Sequence, residues 1–448
     1  MENVKVLSRF LFVLAIGAVF LSSCRAGRVS KKDKVKEMEE LVSESEVFNQ
    51  YFFGFMLFDP HTKDVLFSQN EDKYFTPAST TKLFTFYAAL NILGDQVPSL
   101  DYEVKGDSLI FSGTGDPSQL HPYFQDSTVL SFLRERDEKL FYTSSTFQDQ
   151  VYGPGWAWDD YNDYYQPEKS ILPLYANVVQ FKRLDEQTDS LEIIPGFLRT
   201  FSEKDNLISP KTVVKRDLHQ NIFRMNLAEL PGREGFEKEV PIITSDELTL
   251  NLLEKELGKS VLKIPDYKFI DEKTLYSIPA DSLYKRYLIE SDNFIAEQLL
   301  LLSSHELFGE LNSQRTIEWV KENLLNDMPD EAVWVDGSGL SRYNMFTPRS
   351  MVAVLDRIYK GMPEKRLFSL LPAGGASGTL KNYYGGEEKP FVYAKTGSLR
   401  HNISLCGYVK TKSGRTLIFS MMNNHLSGST AESRKEMGKL LKHIYETY

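Results

Sequence analysis

The 448-residue chain is poor in cysteine, with only Cys24 and Cys406, which excludes a framework of disulfides. Histidine is also sparse. His61, His121, His219, His305, His401, His425 and His443 form no H-x-x-x-H pair, and nothing in the pattern calls for a metal or a cofactor. No Walker-type glycine loop occurs, because Gly374-Gly375 lacks the lysine and hydroxyl residue that would follow. Positive charge is outnumbered, 52 Lys and Arg against 62 Asp and Glu, and the net charge of -10 argues against a general binder of nucleic acid. What remains is ordinary: 42% hydrophobic and 25% charged residues predict a packed body, and the length predicts two or three domains.

The one apolar run near the start, Phe10 to Leu21, is too short to span a membrane comfortably and follows Lys5 and Arg9. It reads as an export signal over residues 1–23. Its end, Leu21-Ser22-Ser23-Cys24, resembles the lipobox of bacterial lipoproteins, which implies a lipid on Cys24 and attachment to a membrane. An ordinary cleaved signal with a chance cysteine is the alternative. Lipidation together with Arg25 points to a periplasmic lipoprotein of the outer membrane. Residues 24–47 carry Lys31, Lys32, Lys34 and Lys36 followed by Glu37, Glu39, Glu40 and Glu44, a pattern suited to a solvated helix or tether. The body is expected to begin near Phe48. Cys406 lies in an apolar run with strand character and reads as core.

Phe52 to Phe58 and Val65 to Ser68 predict a hairpin, since turn formers separate the two apolar runs. Ser79 to Leu93 predicts a helix entered through Pro77 and closed by Gly94. That helix places Ser79 and Lys82 three residues apart on one face, where an amine of lowered pKa takes the proton of a hydroxyl and makes a nucleophile. Serine with a lysine three residues on is a weak signal, matched also by Ser282 to Lys285, and a capping serine beside an exposed lysine is the plain reading.

Two further stretches raise it. Ser291-Asp292-Asn293 interrupts helical material, where Ser291 is placed to relay a proton to a departing amine and Asn293 to grip a peptide group. Helix capping is its plain reading, and the rival Ser68-Gln69-Asn70 precedes the nucleophile and fails on order. Lys395-Thr396-Gly397-Ser398 follows an apolar strand, with Gly397 allowing close approach of a substrate backbone, Thr396 and Ser398 offering hydroxyls, and Lys395 offering charge to a carboxylate. Lys395 is also expected to hold down the pKa of Lys82. Its rival, Lys412-Ser413-Gly414, is explained by a hairpin turn.

The three stretches in this order are the signature of penicillin-recognising serine acyl-transferases. With Gly113-Thr114-Gly115-Asp116-Pro117, Trp156-Ala157-Trp158-Asp159-Asp160, Asp336 to Arg342 and Gly378 to Asn382, the chain resembles the D-alanyl-D-alanine carboxypeptidase/endopeptidase family, the low-molecular-mass class C penicillin-binding proteins. The resemblance implies that Ser79 is acylated, Lys82 is the base, Ser291 and Asn293 assist, and Lys395, Thr396 and Ser398 hold the substrate carboxylate. It also implies an oxyanion hole from the backbone N–H groups of Ser79 and Ser398. Peptidoglycan stem peptides would be the substrate and β-lactams covalent inhibitors. Arg400-His401 departs from the small residue usual after Leu399 in the family.

The implied fold is α+β, a β-lactamase/transpeptidase-like domain (antiparallel sheet flanked by helices) with a large, mostly β insertion. Its parts are expected at 48–94 and 265–448, with the insertion at 95–264. Strands are expected at Val104 to Ser112 and Leu140 to Thr146, and the aromatic cluster Trp156, Trp158, Tyr161, Tyr164 and Tyr165 reads as packing rather than a sugar platform. Asp159-Asp160 lacks a histidine at ligand spacing and is no metal site. Asp336 to Gly339 reads as a loop shaping the cleft, and Glu432 to Tyr448 as an amphipathic helix packing on the strands around Cys406 and Phe419. The competing functions are a β-lactamase and a lipid-anchored cell-wall-binding or sensor module.

Overall fold

The computed structural model describes residues 31–183, 190–205, 213–229, 235–386 and 389–448, so the expected export signal and the Cys24 lipid site lie outside the described residues. One antiparallel five-stranded sheet organises the part that matters for function. Its strands run in the spatial order Val392–Leu399, Asn402–Lys410, Thr416–Asn424, Phe52–Asp59 and Asp64–Gln69. The central strand, Thr416–Asn424, is buried along its whole length, as a strand covered on both faces must be.

Alternation along the strands sends residues to opposite layers. Leu417, Phe419 and Met421 pack with Met437, Leu440, Leu441 and Ile444 of the C-terminal helix Thr430–Thr447. Ile418 and Met422 face the other way, into a core with Phe84, Leu299 and Leu355 from the helices Lys82–Ile92, Asn293–Phe308 and Pro348–Gly361. Cys406 belongs to this second core and not to the layer under the C-terminal helix, because its register with Ser420 puts both on the far face. It is buried, as expected for a packing residue.

The helix Lys31–Ser43 differs from a solvated tether. Met38 and Val42, one turn apart, are buried against the cluster that holds Phe48 and the C-terminal helix. Burying two such side chains contributes about 1.5–3 kcal/mol each, enough to dock a short helix whose opposite face stays charged. The packed body therefore starts before Phe48.

Between Gln96 and Pro279 the chain builds separate sheets. A five-stranded one runs Val261–Lys263, Lys139–Tyr142, Ser108–Gly113, Gln96–Lys105 and Lys273–Pro279, and two three-stranded sheets lie around a core that includes Phe181, Phe223 and Val240. The expected strand at Val104 to Ser112 is in fact a hairpin that reverses at Gly106, where φ is +61°. Lys273–Pro279 pairs with Gln96–Lys105, Leu275 opposite Leu100, so the inserted sheet continues past residue 264. Among the described residues, no helix is long and apolar enough to cross a membrane.

Candidate active site

Ser79 lies in a single 3-10 turn, Ala78–Thr81, which runs directly into the helix Lys82–Ile92. Ala78 takes a φ of +52° to make that entry, and Gly339 faces it so closely that a Cβ would fall 1.9 Å from the Ala78 carbonyl. Only glycine fits there. The three-residue spacing brings Lys82 Nζ to 3.1 Å from Ser79 Oγ, while the other two donors of the ammonium reach Asn293 Oδ1 at 2.6 Å and the Ser338 carbonyl at 2.7 Å. Removing one proton leaves two N–H bonds for those two acceptors and turns the lone pair toward the serine hydroxyl.

Lys82 is fully buried, and burial lowers its pKa to about 8 against the pull of Glu297, Asp336 and Asp292. Lys395 is held well below the ordinary lysine range, by burial first and by the charge of Lys82 second. Burial is the first cause for both amines, and the repulsion between the two ammonium groups acts on the pair. Lys395 Nζ donates to Ser291 Oγ at 2.8 Å and to the Thr396 carbonyl at 2.9 Å.

Ser291, Asp292 and Asn293 divide their work. Asp292 caps the helix Asn293–Phe308 through the Ile295 N–H, and Ser291 takes a φ of +61°, which turns it into the cleft. Asn293 does not offer both ends of its amide to the cleft: Oδ1 is held by Lys82, and Nδ2 donates to the Tyr165 carbonyl of the inserted part at 2.9 Å.

Val392–Leu399 is the edge strand beside Ser79. Among the described residues its outer side is covered only at the start, where Gly374 N–H bonds the Val392 carbonyl and Ala394 N–H bonds the Pro372 carbonyl. Backbone groups of alternate residues share a side, so the N–H groups of Thr396 and Ser398 also point away from the neighbouring strand and into the open edge. Gly397 lies on the serine turn, and a Cβ there would meet the Pro77 carbonyl at 2.4 Å and Ser79 N at 3.2 Å. The close approach brings the strand at Gly397 onto the turn that carries the Ser79 N–H. Thr396 Oγ1 donates to Thr379 Oγ1 at 2.9 Å.

Several supports escaped the sequence reading. Glu297, one helical turn after Asn293, accepts the N–H groups of Gly337 at 3.1 Å and Ser338 at 2.7 Å, fixing the carbonyl that Lys82 contacts. Its pKa is raised to about 7, chiefly by burial and then by Asp336. Asp336 accepts from Gly339, Ser341 and Asn344, and from Trp156 Nε1 at 2.9 Å. Trp156 therefore joins the inserted part to the loop beside the lysine, whereas Trp158 is 75% exposed and Tyr164 67%. The i, i+4 spacing of Asn293 and Glu297 was the available clue.

These groups open on a cleft of about 900 Å³ lined by Ser79, Ser291, Asn293, Thr396 and Ser398, with Arg342, Arg400 and Arg434 at its wall. His401 is not among the lining residues; its Nδ1 meets the Leu426 carbonyl at 2.6 Å.

A buried lysine beside a serine at a turn-to-helix junction, next to a glycine-bearing edge strand, defines a serine acyl-transferase site. The model of the D-Ala-D-Ala carboxypeptidase 3 (S13) family matches residues 34–444, and the chain belongs to that family. Among its relatives is the D-alanyl-D-alanine carboxypeptidase DacB of Haemophilus influenzae, 23% identical over 428 residues, covering 87% of this chain and 88% of the relative. The penicillin-sensitive carboxypeptidase A of Dictyostelium discoideum is 26% identical over 406 residues, covering 77% of this chain and 76% of the relative. In fold the chain is similar to the crystal structure of penicillin binding protein 4 (dacB) of Haemophilus influenzae, with a TM-score of 0.71 at 21% identity over 92% of this chain and 99% of that one.

Proposed function

We propose that the protein is a serine D-Ala-D-Ala carboxypeptidase acting on peptidoglycan stem peptides. The observation that carries this reading is the placement of Lys82 Nζ between Ser79 Oγ, Asn293 Oδ1 and the Ser338 carbonyl. Ser79 Oγ attacks the carbonyl carbon of the penultimate D-Ala, and its proton passes to Lys82. The negative charge on the carbonyl oxygen is met by the N–H groups of Ser79 and Ser398. The C–N bond then breaks as the proton taken by Lys82 is returned through Ser291 to the departing D-Ala amine, leaving Lys82 neutral and Ser291 a hydroxyl again, and Lys395 keeps Ser291 oriented through its 2.8 Å bond. Water hydrolyses the ester and restores Ser79.

The same machinery accepts a crosslink in which a diaminopimelate amine is the leaving group, and we extend the proposal to that endopeptidase reaction. Family membership and the export signal read from the sequence support action outside the cytoplasm, with a lipid at Cys24 as the anchor and the inserted sheets as a wall of the cleft.

The test is acylation by penicillin followed by intact mass and peptide mapping. A long-lived adduct on Ser79, absent in Ser79→Ala, with release of D-Ala from a stem peptide that the variant no longer cleaves, is the expected result. Cleavage undiminished in Ser79→Ala refutes the assignment.

A further inference from the structure

A D-Ala leaving group carries a free carboxylate, and a full positive charge must meet it if the site is to prefer the acid over a neutral end. Neither motif lysine is suited to that task. Lys82 spends its donors on Ser79, Asn293 and Ser338, and Lys395 spends its own on Ser291 and Thr396. Burial also lowers the pKa of both, so neither is a permanent cation.

The alternation of the edge strand indicates where the carboxylate lies. Val392 and Ala394 face the layer of the C-terminal helix, in one cluster with Met437 and Leu440, so Thr396 and Ser398 continue that face past the end of the apolar layer. There the C-terminal helix presents Arg434, one turn before the buried Met437. Arg434 Nη2 lies 3.5 Å from Ser398 Oγ, Nη1 donates to Thr430 Oγ1 at 3.0 Å, and the guanidinium stands over the Tyr383 ring at 5.3 Å. Ser79, Thr396, Ser398, Tyr383 and Arg434 line the same cleft.

Of the other arginines of the wall, Arg400 lies exposed past the end of the edge strand, in the turn after Leu399, and two are engaged elsewhere. Arg286 pairs with Asp292 at 3.8 Å, and Arg342 donates to the Arg400 carbonyl at 3.4 Å. Arg434 has no salt bridge among the described residues, and its described hydrogen bonds go only to hydroxyls.

We propose that Arg434 is the specificity-determining cation for the leaving group, binding its α-carboxylate together with the hydroxyls of Thr396 and Ser398. Stacking on Tyr383 and the bond to Thr430 hold the planar fork ready, which reduces the ordering cost when the anion arrives. The ligand class is a D-amino acid with a free carboxylate next to the scissile amide. A leaving group whose carboxylate is amidated loses this contact. The proposal rests on the carboxypeptidase reading and concerns its choice of substrate.

The experiment compares kcat/KM for an N-acyl peptide ending in D-Ala-D-Ala with that for its C-terminal carboxamide, using the full-length chain. Arg434→Gln is expected to lower the acid-to-amide ratio about tenfold or more, the scale of a lost hydrogen bond to a charged group. Arg434→Lys keeps the charge and is expected to keep most of the preference. A ratio unchanged in Arg434→Gln overturns the proposal, as does a loss in Arg434→Lys equal to that in Arg434→Gln. Absence of both turnover and a Ser79 adduct in the unaltered protein sinks the carboxypeptidase reading and this proposal with it. An acylating protein whose ratio ignores residue 434 sinks this proposal alone.

Discussion

The pKa of Lys82, lowered to about 8 by burial, makes a quantitative demand on the acylation rate. At pH 7 a lysine of that pKa is neutral in about one molecule in ten, against about one in three thousand for an ordinary lysine, so burial enriches the base about 300-fold. Between pH 6 and pH 8 the neutral fraction grows about 50-fold. If the neutral amine takes the Ser79 proton, the second-order rate of acylation by a fluorescent penicillin must climb by nearly that factor and level off above pH 8. Lys395 is itself held well below the ordinary lysine range by burial and by the charge of Lys82, and its bond to Ser291 needs only an N–H, so the profile requires no fall on the alkaline side. The apparent pKa belongs to the coupled pair of amines. Rapid-mixing acylation at fixed ionic strength from pH 6 to pH 10 measures this, with Lys82→Arg as the variant that never deprotonates and is expected to acylate at least 1,000-fold more slowly, on the order of losing a positioned base and leaving a fixed charge. A flat profile, or a rise centred near 10, would refute the claim that burial prepares this lysine as the base.

Three further outcomes follow from particular contacts. Met38→Ala removes a fully buried side chain from the docked N-terminal helix and is expected to cost about 2–3 kcal/mol in urea unfolding, whereas a solvated tether would show almost no change. Gly397→Ala puts a Cβ 2.4 Å from the Pro77 carbonyl, which forces the edge strand off the serine turn; penicillin acylation should slow about 100-fold or more, on the scale of one lost oxyanion donor, and an unaffected rate would contradict the close approach. His305 has its pKa raised to about 9: burial pulls it down, but the bond to Asp101 at 2.6 Å, the pairing with Glu306 and the charges of both carboxylates together outweigh burial. A raised pKa stabilises the fold fully below about 6.5 and ceases to do so as pH passes about 9. The stability advantage of the unaltered protein over His305→Gln should therefore shrink by roughly 3 kcal/mol between pH 6 and pH 10, and an advantage that grows would contradict it.

Residue order alone determined a good deal about this protein. Short-range chemistry was readable: apolar alternation and turn residues marked the Phe52–Asp59 and Asp64–Gln69 hairpin, Lys412 to Gly414 proved to be a turn, and the stripe Met437, Leu440, Leu441 and Ile444 marked the last helix. The pairing of Ser79 with Lys82 was readable for the same reason, since three residues of helix fix a distance. Contacts across the chain were decided only by the tertiary structure. Lys82 meets Asn293 across 211 positions and Ser338 across 256, and the neutral amine depends on burial that no local pattern expresses. Likewise Asp336 and Trp156 read as loop and packing residues until folding joined them at 2.9 Å. Arg434 is one arginine among many along the chain; the register of the edge strand against the C-terminal helix places it 3.5 Å from Ser398. Periodicity encodes which face a residue takes, and only the packing of faces decides what it meets there.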